Sequence, residues 1–481
     1  MPCTTILVGK GASHDGSTLM ARTEDSGAGH YTPKKMIVMN PAQQPRQYKS
    51  VISKVEIPLP EEALRYTAMP NADPSEGWWA CAGINEANVA MTATETITSN
   101  PRMEGADPLV DGGIGEEDMV TLVLPYIHSA REGVLRLGEL LTQYGTYERN
   151  GIGFQDMNEL WWLESLGGHH WFAKRVPEDS YMICPNQQGI DFFDFVDAMG
   201  EGQSHLCSAD LPAFVEKHHL NLHPGHAASE THFDARAAFG SHLDRDRVYN
   251  TPRAWFMLRY FNPSTAFEPE AFDLPWAMEP EKKITPEDIK YVLSSYYQST
   301  PYNPYSHHGA PENRGLYRPI GINRTNVLVL TQLRPWAPAE FAGVEWVAFG
   351  SGAFNEMVPM YTNVRKVPDY LSNCTNEVST DNLYWSSRLI AALADAAFGH
   401  NISDIDRYQQ NLAVASRSHL TQWDERLAEN RPESYPQLQA LLEEANEEMA
   451  ATAKEATQSC LQKVLFTTTG LMKNAFSRSD N

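Results

Sequence analysis

The first twenty-five residues constrain the fold more tightly than any other stretch. Cys3-Thr4-Thr5-Ile6-Leu7-Val8-Gly9 is a β-branched and aliphatic run ended by glycine, which reads as a buried strand. Gly11, Ser13, Asp15 and Gly16 supply turn chemistry, and Thr18-Leu19-Met20-Ala21-Arg22 resumes an extended apolar pattern. The spacing predicts a β-hairpin that returns Arg22, Thr23, Glu24 and Asp25 towards the start of the chain.

That return gives Cys3 a possible chemistry. If Met1 and Pro2 are removed, Cys3 carries a nucleophilic thiol and a free α-amine as base on one residue, with no histidine required. An α-amine titrates at about 7.7 to 8.0 and a thiol at about 8.5, so both change protonation near neutral pH. Arg22 would favour the thiolate by Coulomb attraction, and Asp25 would hold the α-amine by a charge-assisted hydrogen bond. Read on composition alone, a cysteine so placed is usually a small buried apolar residue, and Arg22 to Asp25 a solvent-facing hairpin end.

The opening Cys-Thr-Thr-Ile-Leu-Val-Gly-Lys, the later Asp-Gly-Ser-Thr and Ala-Arg-Thr-Glu-Asp-Ser resemble one known group. It is the bacterial dipeptidase family of N-terminal-nucleophile (Ntn) cysteine hydrolases, related to penicillin V acylase, the bile-salt hydrolases and the secernins. The likeness extends to Asn186, to Tyr249-Asn250-Thr251-Pro252-Arg253-Ala254-Trp255, and to Gly350 to Tyr361. It implies an α+β four-layer αββα sandwich and hydrolysis of short unblocked peptides, broadly dipeptides, through an acyl-enzyme on Cys3. Asn186 would supply an oxyanion donor, Arg253 would support the thiolate or bind a substrate carboxylate, and no cofactor is needed. It also implies processing in which the Cys3 thiol attacks the Pro2–Cys3 bond.

One position departs from the relatives. The related acylases keep an asparagine after the second hairpin, where this chain reads Thr94-Glu95-Thr96. A carboxylate repels the negative charge of an oxyanion, so Glu95 is read as a partner for the free ammonium of a peptide, or else as a surface strand carboxylate.

Composition narrows the alternatives. With 42% apolar and 21% charged residues among 481, the chain has material for a large packed core. A net charge of −23 argues against nucleic acid or an anionic membrane as partner. No run approaches the roughly eighteen apolar residues of a membrane span, and Lys10 and Asp15 interrupt any secretory signal. Cys3, Cys81, Cys184, Cys207, Cys374 and Cys460 are scattered, as expected of reduced thiols in the cytoplasm. A homo-oligomer is also expected.

Along the chain, a second hairpin is predicted around Asn85 to Asn88, then a flexible acidic loop from Asp107 to Asp118, and helix from Glu117 to Ala130 and over Val134 to Tyr144. Leu160 to Glu164, His169 to Arg175 and Tyr181 to Cys184 read as successive antiparallel strands. Helices are predicted at Thr251 to Phe261 and Ile284 to Gln298, and strands at Thr325 to Leu333 and Val344 to Gly350. From Asp381 onward the pattern is helical. The expected organisation is a propeptide at 1–2, a catalytic unit at 3–375 and a helical region at 376–481.

Histidines supply the rival. His205, His218, His219, His223, His226, His232 and His242 crowd one stretch, and His219 and His223 have the spacing of two ligands on a helix. No HExxH is present, and Pro224-Gly225 breaks any helix there, so no metal is expected. GxSxG, Walker A and GxGxxG motifs are also absent. Two other readings stay open: an Ntn amidohydrolase or acylase acting on a non-peptide amide, and a non-enzymatic secernin-like protein.

Overall fold

The N-terminal hairpin lies at the centre of a sheet in a computed structural model that describes residues 3–92, 95–223, 232–430 and 432–474, the side chain of Glu95 excepted. Strands β1 (Cys3–Val8) and β2 (Thr18–Asp25) pair antiparallel, with Cys3 opposite Glu24 and Thr5 opposite Arg22. Side chains alternate across a strand, so Ile6, Val8, Leu19 and Ala21 enter one core cluster while Leu7 and Met20 enter another. Every residue of both strands is buried, which explains a near-continuous apolar run in place of alternation.

The later strands are β3 (Ala82–Ile84), β4 (Ala90–Thr92), β5 (Glu95–Thr96), β6 (Asn150–Gln155), β7 (Leu160–Ser165), β8 (Trp171–Arg175) and β9 (Tyr181–Cys184). They continue with β10 (His205–Cys207), β11 (Ala277–Met278), β12 (Thr325–Leu333), β13 (Gly343–Phe349) and β14 (Val358–Tyr361). Among the described residues these form two large antiparallel sheets. One runs β11-β9-β1-β2-β12-β13-β14; the other runs β10-β8-β7-β6-β4-β3, with β5 also paired to β6. The sheets face each other closely. Gln155 donates its amide to the Thr18 carbonyl at 2.7 Å, and a Cβ added at Gly153 would fall 2.6 Å from Met20 Sδ.

The predicted run of three successive strands divides between the sheets. β7 pairs with β8, but β9 crosses over and pairs with β1, Thr5 opposite Cys184. The outer edge of β8 is taken by β10, whereas β1 would bury a row of unpaired backbone groups without β9. This crossover carries the residues after Cys184 to the start of the chain.

Helices α1 (Glu116–Val123) and α2 (Ala130–Tyr144) replace the predicted Glu117 to Ala130 and Val134 to Tyr144. Pro125 falls in a 3₁₀ turn that ends the first, and Ser129 caps the second by accepting from the Glu132 N–H at 3.1 Å. α2 packs on the second sheet so tightly that a Cβ on Gly138 would meet the Trp171 ring at 2.2 Å. Helix α3 (Thr251–Phe261) has the predicted bounds, and Trp255, Phe256, Met257 and Leu258 join the core with Ile6 and Val8. Helix α4 (Pro286–Leu293) stops short of Gln298, since Tyr297 sits at φ 61° and cannot continue a right-handed helix.

The C-terminal region is helical as predicted, in α5 (Leu383–Ala396), α6 (Phe398–Glu429) and α7 (Tyr435–Thr469). It closes the edge of the first sheet. Asn446 on α7 accepts from the Tyr361 N–H at 2.8 Å and donates to the Tyr361 carbonyl at 2.9 Å, satisfying the outer side of β14. None of the described helices is long and apolar enough to cross a membrane.

Candidate active site

In an antiparallel pair, a residue and its diagonal neighbour share one face, and the register of β1 and β2 puts Arg22 diagonally across from Cys3. Arg22 Nη2 lies 2.8 Å from Cys3 Sγ and donates to Glu116 Oε1 at 2.7 Å. Both side chains of this ion pair are buried. Burial works against the Arg22 charge, but the pull of Cys3, Cys81 and Glu116 outweighs it and holds the guanidinium above its ordinary pKa. Arg22 is therefore a permanent cation at the thiol.

Glu116 is the first residue of α1, where the helix dipole favours a carboxylate. Its N–H donates to Glu148 Oε1 at 2.7 Å. Burial and then repulsion from Glu116 push the Glu148 carboxyl up to about 7. Burial and then Asp118 do the same for Glu117, also to about 7.

Asn186 stands just past the end of β9. The Cys3 nitrogen donates to Asn186 Oδ1 at 3.2 Å, and Asn186 Nδ2 points at β5, donating to the Thr96 carbonyl at 2.9 Å. Buried Glu164 on β7 holds the loop that follows. It accepts from the Gly189 N–H at 2.8 Å, from Gln188 Nε2 at 3.0 Å and from Trp162 Nε1 at 2.9 Å.

Arg253 on α3 reaches the same place from the opposite face of the sheet. Its Nη1 donates to the Cys3 carbonyl and, at 2.8 Å, to Thr4 Oγ1; its Nη2 donates to Asn186 Oδ1 at 2.8 Å and Asn250 Oδ1 at 2.6 Å. The side chain is wholly buried. Arg253 thus grips the carbonyl of Cys3 and the amide of Asn186 together.

Asp25, at the end of β2, accepts from Arg318 Nη2 and, at 2.6 Å, from Thr325 Oγ1. Both of its oxygens are engaged there, while the Cys3 nitrogen is engaged by Asn186. The Tyr249 ring lies between the two arginines, 5.2 Å from the Arg318 guanidinium and 5.3 Å from that of Arg253. Cys3, Arg22, Asn186 and Arg253 are thus brought together, and Asp25 adjoins them through Arg318 and Tyr249. The side chain of Glu95 lies outside the described residues, as do Met1 and Pro2; the Glu95 backbone pairs with Gly151. A cleft of about 480 Å³ opens beside Asn186, lined by Thr96, Thr98, Arg245, Tyr249 and Asn250.

The histidine-rich stretch stands apart from this site. Helix Leu211–Lys217 ends before His219, which takes φ 53°, so His219 and His223 do not share a helical face. His226 lies outside the described residues. Among the described residues no group of three or more His, Cys, Asp or Glu side chains is arranged to hold a metal ion. Sequence reasoning missed Glu116, Glu164, Asn250 and Arg318. A signal existed for Glu116: Gly115 followed by Glu116, Glu117 and Asp118 is a helix start, not an acidic loop.

The family model described as Peptidase family C69 matches residues 2–411. The chain is 52% identical over 480 residues to the protein named Probable dipeptidase A in Streptococcus pyogenes serotype M3 (strain SSI-1), covering 100% of both chains. It is 47% identical to the protein named Dipeptidase in Bifidobacterium longum (strain NCC 2705), again covering 100% of both. It is 42% identical to Dipeptidase A of Lactobacillus helveticus, over 98% of this chain and 97% of that one. The chain belongs to peptidase family C69, the N-terminal-nucleophile cysteine peptidases that its opening motif resembles.

Proposed function

We propose that this protein is a cysteine-type dipeptidase that hydrolyses short unblocked peptides with Cys3 as N-terminal nucleophile. The observation that carries the reading is the double engagement of Cys3: its thiol faces Arg22 at 2.8 Å and its nitrogen faces Asn186 at 3.2 Å. Thiol and nitrogen of one residue each have a protein partner, and removal of Pro2 turns that nitrogen into the amine base the reading requires. Full-length similarity to proteins named dipeptidases supports a peptide substrate over a non-peptide amide or a non-catalytic role.

In the mechanism, removal of Met1 and Pro2 frees the Cys3 α-amine. The Cys3 thiol adds to the Pro2 carbonyl carbon, the Pro2–Cys3 C–N bond breaks as the thiol proton passes to the leaving Cys3 nitrogen, and water hydrolyses the resulting thioester to release the two-residue propeptide. In turnover, the α-amine takes the thiol proton, and the Sγ thiolate, stabilised by Arg22, adds to the scissile carbonyl carbon. Asn186 Nδ2 donates to the oxyanion, and the Cys3 ammonium passes its proton to the leaving amino group as the C–N bond breaks. Water, deprotonated by the amine, then attacks the thioester and returns Cys3 to its thiol form.

Arg253 is a positioning residue here, because its donors are directed at Cys3, Thr4, Asn186 and Asn250. Asp25 acts on the α-amine once processing frees it, held at the end of β2 by Arg318 and Thr325. Glu95 pairs with the substrate ammonium, a role supported by a carboxylate standing where the related acylases keep an asparagine.

We read the two facing sheets with their flanking helices as the αββα sandwich, the catalytic unit as residues 3–375 and the helical region as 376–481. Scattered cysteines support a cytoplasmic enzyme.

The test is dipeptide hydrolysis by wild type and Cys3→Ala with EDTA present. Activity that ignores EDTA and vanishes in Cys3→Ala is expected. Activity that survives the substitution but is lost to EDTA would overturn the assignment.

A further inference from the structure

Three arginines near the nucleophile are committed to protein partners. Arg22 is held by Glu116, Arg318 by Asp25, and Arg253 by backbone and amide oxygens. A dipeptide nonetheless brings a C-terminal carboxylate within roughly 5 Å of its scissile carbonyl, one residue away. That charge needs a partner in the cleft.

Arg245 is placed to be that partner. It is exposed, it lines the cleft that opens beside Asn186, and it precedes the short helix Asp246–Tyr249. Among the described lining residues it carries the one charge, since Thr96, Thr98, Val248, Tyr249 and Asn250 are neutral. Neighbouring acids among the described residues do not claim it. Asp246 is buried and accepts from Ser241 Oγ at 2.8 Å and Asn250 Nδ2 at 2.6 Å, while exposed Asp244 lies 3.9 Å from Arg247.

We propose that Arg245 captures the C-terminal carboxylate of the substrate and so measures peptide length at the cleft; this rests on the dipeptidase reading above. A guanidinium fork suits a carboxylate held by two parallel hydrogen bonds. A longer peptide carries its carboxylate past the fork, and an amidated one has no charge to offer it.

The test compares a dipeptide with its C-terminal amide on wild type, Arg245→Gln and Arg245→Lys. In Arg245→Gln, KM for the free acid should rise about tenfold or more while kcat changes less than about twofold. Turnover of the amide should stay unchanged, and Arg245→Lys should restore part of the preference for the acid. Equal effects on acid and amide, or none on either, would overturn the assignment while leaving the dipeptidase reading intact. A wild type that cleaves neither substrate would overturn both.

Discussion

The Arg22 Nη2 that faces Cys3 Sγ also donates to the Glu116 carboxylate at 2.7 Å, so one buried cation is shared between the Cys3 thiol and the first residue of a helix. The cation is fixed before any substrate arrives. Placement of this kind removes a reorganisation step from catalysis.

Glu116→Gln tests that sharing. Losing the anion loosens Arg22 and also removes a negative charge that competes with the thiolate. Expected is a fall in kcat of about tenfold to a hundredfold with KM nearly constant. The acid limb of Cys3 alkylation should move to lower pH, because a thiolate forms more readily beside an arginine relieved of its other partner. Alkylation rates measured against pH read this directly; an unmoved limb would reduce Glu116 to a packing role.

Arg253→Lys tests the clamp on Asn186. An ammonium has no planar fork, so it cannot hold the Cys3 carbonyl, Asn186 Oδ1 and Asn250 Oδ1 together. We expect kcat to fall about a hundredfold and stability to drop by roughly 2–4 kcal/mol, read by steady-state kinetics and denaturant unfolding.

Glu345 gives the fold a pH signature away from the site. This β13 residue is wholly buried, and burial, only partly offset by the Thr67 hydroxyl, pushes its carboxyl from 4.5 up to about 8. A carboxyl raised in the folded state keeps a proton that the unfolded chain has already lost. Stability therefore falls as pH climbs from about 4.5 to about 8, by up to roughly 1.4 kcal/mol per unit, and levels off above that. Glu345→Gln should flatten this part of the curve and melt higher than wild type at pH 8. Parallel Tm curves for the two proteins would contradict it.

Much of this was legible in the sequence where the determinants are local. The N-terminal hairpin follows from an apolar run, a glycine turn and a second run, and α3 begins where Thr251-Pro252 announces a helix start. The meeting of Cys3 with Asn186 joins residues 183 apart, and only the crossover of β9 to β1 brings it about. Spacing carries no trace of that crossover, so the pairing rested on family resemblance. Glu116 was hidden because its helix start resembles an acidic loop, and Arg318 because its partner Asp25 belongs to a distant strand. The sequence reads Arg253 as a partner of the thiolate or of a substrate carboxylate, and its contacts with Cys3, Thr4, Asn186 and Asn250 were not legible there.

The most direct test of the central claim is the intact mass of fully active enzyme before and after stoichiometric alkylation that abolishes dipeptide hydrolysis. The account predicts a chain that begins at Cys3 and gains a single label on that residue. Fully active enzyme that retains Pro2, or that keeps its activity with Cys3 labelled, would contradict it.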